Sequence, residues 1–152
     1  MQKKIKLAAV AITLLLLISK YYDFNKYVKV IFNDFKLNSF DQVIGLKLSF
    51  DNREDSDYRK DNDIDHINKI LEYFNSFEYE KCEEFNFDDE VTKFMFENTK
   101  TGEEKSIHVY NENEIMVYIQ RGKDQIFLLK VKDDALDIEY IENLFNNLNE
   151  RI

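Results

Sequence analysis

The chain of 152 residues has no proline and no tryptophan, only three glycines, four alanines and one cysteine. A single cysteine, Cys82, cannot close an internal disulfide, so stability has to come from a packed core. Gly45, Gly102 and Gly122 stand alone in the sequence, which excludes a glycine-rich loop cradling phosphates. Positive charge is scarce beyond the first turns. After Tyr22 the chain holds all 30 acidic residues but 17 of the 21 lysines and arginines, a formal net charge of −13. That surface repels phosphate backbones and anionic lipid headgroups, which argues against nucleic acid as a partner, and it attracts basic proteins and cations.

What is present starts at the N-terminus. Lys3, Lys4 and Lys6 precede residues 7–19, an uncharged and largely apolar run closed by Lys20, Tyr21 and Tyr22. A cationic flank before a short apolar run addresses a membrane for export. Ala9 and Ala11 have the spacing of a cleavage site but lie inside the run, Leu17 and Ser19 make a poor one, and no cysteine follows for lipid attachment. The preferred reading is therefore an uncleaved signal anchor over residues 1–22. It is short for a span, with lysines snorkelling at both ends and tyrosines at the interface, its N-terminus inside and the rest of the chain outside the cell membrane. A cleaved signal peptide is the competing reading.

Residues 23–39 form the second region. Tyr21, Phe24, Tyr27, Val28, Ile31, Phe32 and Phe35 recur every three or four residues, the stripe of one helix face, with charged and amide residues opposite. This predicts an amphipathic stalk helix.

Residues 40–152 read as a single extracytoplasmic α+β domain. Ile44, Leu46, Leu48 and Phe50 alternate with smaller or polar residues and predict a first strand whose apolar set faces the core. The charged stretch 51–63 reads as a loop. Ile64, Ile67, Ile70, Leu71, Phe74 and Phe77 predict a helix over 64–77, with Asp63 as N-cap. Residues 78–89 are ambiguous; alternation around Tyr79 allows an extra edge strand. Four strands then follow over 91–98, 105–110, 115–120 and 125–131, separated by short polar turns, as in an antiparallel meander. Asp133 or Asp134 is the expected cap of a last helix to about Leu148. One curved antiparallel sheet of five or six strands, in the order β-α-β-β-β-β-α with both helices on one face, buries these stripes.

Over residues 41–149 this order resembles the repeat unit of TATA-binding-protein-like domains. The resemblance implies that topology alone; nucleic-acid binding does not carry over, because the charge has the wrong sign. The layout of anchor plus acidic domain, with the composition of AT-rich codons, resembles small membrane-tethered extracytoplasmic proteins of AT-rich Gram-positive bacteria.

Candidate sites are few, and no cofactor motif occurs. Asp61, Asp63, Asp65 and Glu72 fall at positions 1, 3, 5 and 12 of an EF-hand loop, but His66 stands where that loop needs glycine and Asn68 where it packs an apolar residue. Asp51, Asp55, Asp57 and Asp61 are an irregular alternative for a cation. A solvated loop with a helix cap explains both sets more simply. His66 and His108 default to surface histidines. Cys82 has Glu80, Glu83 and Glu84 as neighbours, which raise a thiol pKa and disfavour a nucleophile.

The expected function is thus a non-catalytic, membrane-tethered module that binds a protein partner. Ile107, Val109, Ile115, Val117 and Ile119 are the more apolar set and are placed inside, leaving His108, Tyr110, Met116, Tyr118 and Gln120 as the candidate partner surface. An immunity protein or inhibitor against a secreted basic toxin is the alternative. A small hydrolase built on Cys82 or a carboxylate is the third.

Overall fold

The computed structural model describes residues 35–49, 56–87, 90–121 and 123–151. All belong to one compact unit, Phe35–Ile152. The expected anchor and stalk lie outside the described residues, apart from the stalk's last five positions. Among the described residues no helix is long and apolar enough to cross a membrane.

The unit is an α+β domain. Its strands are β1 (Gln42–Ser49), β2 (Asp57–Asp61), β3 (Tyr79–Lys81), β4 (Glu90–Asn98), β5 (Glu103–Val109), β6 (Glu114–Arg121), β7 (Lys123–Val131) and the two-residue β8 (Glu150–Arg151). Helix α1 (Ile64–Asn75) lies between β2 and β3, and α2 (Ile138–Asn146) between β7 and β8. Seven strands form one antiparallel sheet, and β8 extends one edge, in the order β3-β7-β6-β5-β4-β1-β2-β8.

The four-strand meander stands where the alternation predicts it. Its turns are made by side chains that replace backbone partners. Asn98 Oδ1 accepts Lys100 N and Thr101 N, and Gly102 takes the left-handed conformation (φ 69°) that closes β4 onto β5. Asn111 Oδ1 does the same for Asn113 N and Glu114 N between β5 and β6. Helix α1 starts at Ile64 as expected, with Asp63 accepting Asp65 N at 2.9 Å.

Four expectations are corrected. First, the charged stretch after β1 is not wholly a loop. Residues Asp57–Asp61 form β2, held by the β1 ladder through backbone pairing that needs no apolar alternation. The order therefore begins β-β-α, unlike the TATA-binding-protein-like unit. Second, β8 follows α2. Third, α2 is capped by Asp137, which accepts Tyr140 N at 2.9 Å, rather than by Asp133 or Asp134. Fourth, β1 faces the other way. Its core side carries Val43, Gly45 and Lys47, and Ile44, Leu46 and Leu48 point away from the helices.

Register explains that inversion. Val43 pairs with Phe96 and Gly45 with Phe94, and both phenylalanines are fully buried beneath the helices. Phe94 meets Phe74 of α1 with ring centroids 5.9 Å apart. Over Gly45 lie Phe145 of α2 and Leu148. A Cβ there would overlap Leu148 Cδ1 and stand 2.9 Å from Phe145 Cδ2. The glycine thus makes room for the Phe145 and Leu148 side chains, and the larger side chain of Ile44 or Leu46 would not fit there. Gly45→Ala should cost about 1–2 kcal/mol by overpacking, read as a lower urea midpoint; an unchanged midpoint would show that α2 shifts freely.

The rest of the core follows from the same face: Ile107, Val109, Ile115, Val117, Ile119 and Leu129 are each at most 4% exposed, as the more apolar set requires. Ile67, Ile70 and Leu71 of α1 and Ile141 and Leu144 of α2 close it from above. Phe35 joins Phe40 and Phe96 in a ring cluster, with Lys105 Nζ 5.1 Å from the Phe40 centroid and paired to Glu103 at 2.8 Å. A lysine 2% exposed is tolerated because ring faces and a carboxylate replace its water.

Candidate functional site: the helix-free sheet face

Both helices lie on one side of the sheet, and the other side has no helix or strand of the described residues upon it. Paired residues of an antiparallel ladder share a face, so the register reads this side out row by row. One row runs Ile44, Met95, Ser106, Tyr118, Ile126 across β1, β4, β5, β6 and β7. The next runs Tyr58, Leu46, Lys93, His108, Met116, Leu128. Ile126 is 62% and Tyr58 45% exposed, and the rest are half-buried apart from the fully covered Ser106.

The structure brings the expected surface residues together. His108 and Met116 are cross-strand partners, Tyr118 stands opposite Ser106 and Ile126, and Gln120 opposite Asp124. Tyr110 lies past the end of β5, where its ring meets Phe85 at 4.9 Å and Phe87 at 5.4 Å. Residues 82–87 fold over that corner of the face. They are held by buried Glu114, which accepts Asn86 N at 3.0 Å and Asn111 Nδ2 at 3.2 Å. Sequence reasoning missed the β1, β4 and β7 part of the face, namely Ile44, Leu46, Met95, Ile126 and Leu128. For β1 the signal is Gly45, whose missing side chain marks the helix side of that strand.

His108 is the histidine of this face. Its Nε2 lies 2.9 Å from Ser106 Oγ. Burial, helped by Lys93 on the neighbouring strand, pulls its pKa down to about 4, so the ring is neutral at pH 7. The pair has the composition of a serine–base dyad. Yet Ser106 is 0% exposed, so its hydroxyl serves to satisfy the ring nitrogen rather than to attack a substrate.

The other candidates are not assembled into sites. Asp61, at the end of β2, is 3% exposed. It accepts His66 Nδ1 at 2.8 Å, Asp63 N at 2.8 Å and Asn149 N at 3.3 Å. Burial pushes its carboxyl up, but these three hydrogen bonds together hold it below the ordinary range. Asp63 is spent on the α1 cap, and Asp65 and Glu72 are exposed on the helix. Among the described residues no three acidic, histidine or cysteine groups are placed to hold a metal ion. In the irregular set, Asp57 pairs with Arg59 at 3.2 Å, and Asp51 and Asp55 lie outside the described residues. Cys82 is buried, donates to Glu84 O at 3.1 Å, and approaches Glu114 Oε1 at 3.5 Å. Burial raises its pKa and Glu114 raises it further. The carboxylate that suppresses the thiol is thus Glu114, from 32 residues away, and not the sequence neighbours Glu80, Glu83 and Glu84.

This face carries two rows of mostly apolar side chains, with Ser106, the neutral His108 and the charged Lys93 among them. No family model, no curated protein and no solved structure matches the chain.

Proposed function

We propose that the chain is a binding module, tethered at the outer face of a cell membrane by residues 1–22, whose helix-free sheet face receives a protein partner. One observation carries the reading: across five adjacent strands Ile44, Leu46, Met95, Met116, Tyr118 and Ile126, with Lys93, Ser106 and His108 among them, share a face that neither helix covers. Contiguous apolar and aromatic side chains of this kind favour desolvating contact with another protein. The cationic N-terminal flank and the apolar run behind it support the tether and its orientation. A hydrolytic role finds no support in Cys82 or Ser106, both of them buried.

Affinity capture from native membranes with the full-length tagged chain tests the proposal. The expected result is one stoichiometric protein. Met116→Asp should reduce its capture at least ten-fold, because a carboxylate would have to be desolvated in the middle of the contact. Tyr118→Ala should weaken it less. Full capture by both variants, folded by circular dichroism, would remove this surface from consideration. The partner's identity also separates a general binding role from inhibition of a secreted toxin. The net charge of −13 after Tyr22 favours a basic partner of that second kind through faster association.

A further inference from the structure

We propose that the partner contributes an extended strand, which pairs with the outward backbone groups of Asp124 and Ile126 on β7 and continues the sheet. This rests on the reading above that the partner is a protein. Strand β7 is nine residues long, but β3 pairs only with Leu129, Lys130 and Val131. No other strand of the described residues lies beyond β7. The hydrogen bond from Cys82 N to Leu128 O, at 3.0 Å, shows that the backbone groups of Leu128 point to this outer edge. By the two-residue repeat of a strand, those of Ile126 and Asp124 point the same way.

Among the described residues this part of the edge is uncovered for a definite reason. After Cys82 the chain leaves the ladder and crosses onto the helix-free face, drawn there by Glu114, which binds Asn86 N. Exposed strand edges are commonly blunted by proline, a bulge or a covering element. Here the chain that would cover the edge has been taken elsewhere, and Ile126, the most exposed aliphatic side chain of the sheet at 62%, stands beside the gap.

Backbone groups spaced along an open edge recognise another extended backbone, and the alternating side chains supply specificity. A residue opposite Ile126 would prolong the row Ile44, Met95, Ser106, Tyr118, Ile126, so it should be apolar. The residue two places along would meet Asp124, an exposed carboxylate, so it should be lysine or arginine. The occupant is therefore an extended segment with an apolar side chain two residues from a basic one. It would reach both this edge and the proposed face, which share Ile126.

The test uses the full-length chain in detergent and a blocked eight-residue peptide of alternating threonine and valine, with one lysine two places from a valine. Amide hydrogen exchange at Ile126 and Asp124 should slow at least ten-fold with this peptide. The same peptide methylated at every backbone nitrogen should give no slowing. Asp124→Pro deletes an outward N–H and leaves the bonds to β6 intact, so it should abolish the protection of Ile126, whereas Asp124→Asn should keep it. No slowing with the first peptide, or equal slowing with the methylated one, overturns the proposal. So does an Ile126 amide already protected in the free chain together with a dimer in sedimentation, since the edge would then hold a second copy. Partner capture separates the two readings. If Met116→Asp abolishes capture and Asp124→Pro leaves it whole, strand pairing fails and the face stands; if neither changes it, the face fails.

Discussion

Replacing Asp61 by alanine is expected to lower the unfolding free energy by about 3 kcal/mol, the cost of removing one partner from a buried, charge-assisted network. Asp61 joins three parts of the fold. It ends β2, binds His66 and Asp63 N at the start of α1, and receives Asn149 N from the segment that follows α2. Without the carboxylate, two backbone N–H groups and an imidazole lose their acceptor at once. Asp61→Asn keeps the shape and one acceptor oxygen but sets an amide N–H₂ against at least one donor. Its loss should be about half as large. Urea unfolding at pH 7 measures both. Equal midpoints for the native chain and Asp61→Ala would mean that β2 and α1 are held together by apolar contact alone. Because the folded-state pKa of Asp61 is depressed, its stabilisation is present above the ordinary carboxylate range and is lost as pH falls below about 4. Asp61→Asn should flatten that lowest part of the pH profile.

A second acid-sensitive step should appear at higher pH, from His108. The pKa of its ring falls from 6.5 to about 4 on folding, because the charged form would be buried on the sheet face and Lys93 lies on the paired strand. Between these values the unfolded chain holds a proton that the folded chain does not, so stability is full above pH 6.5 and declines as pH falls toward 4. The loss at pH 5 should be about 1–2 kcal/mol, allowing for water reaching a half-buried ring. Titrating groups are distinguished by variants. His108→Gln should remove the slope between pH 6.5 and 4 and leave the Asp61 step below it. A native chain with equal urea midpoints at pH 7 and pH 5 would show that the imidazole is solvated. The same proton would weaken partner binding, since a charged His108 stands next to Met116 in the proposed contact.

Much of the fold was legible along the chain because local periodicity was strong. The stripe from Ile64 to Phe74 with Asp63 before it could only be a capped helix, and the alternation from Val91 to Val131 with polar turns could only be a meander. Strands β2 and β8 were not legible, because Asp-Tyr-Arg-Lys-Asp and Glu-Arg carry no apolar period; they are strands through backbone bonds to a neighbour already in place. The candidate site was legible in part. Residues from His108 to Gln120 were assigned to the open face because Ile107, Val109, Ile115, Val117 and Ile119 made the more apolar alternative. Strand β1 was assigned inside out for the same reason, since in it the apolar set is the outer one.

The sequence by itself determined the α+β class, the N-cap of α1 and the division of β5 and β6 into two sides, because these depend on the spacing of residues within one element. It also determined the acidity of everything after Tyr22. Tertiary structure alone decided the facing of β1, the partner of Cys82 and the point where the chain from β3 leaves the edge of β7. Each of these depends on which distant residue arrives: Phe145 and Leu148 over Gly45, Glu114 beside Cys82, and the chain from β3 drawn off the edge toward that same carboxylate. Periodicity reports how a segment divides into two sides. Only packing says which of them is covered.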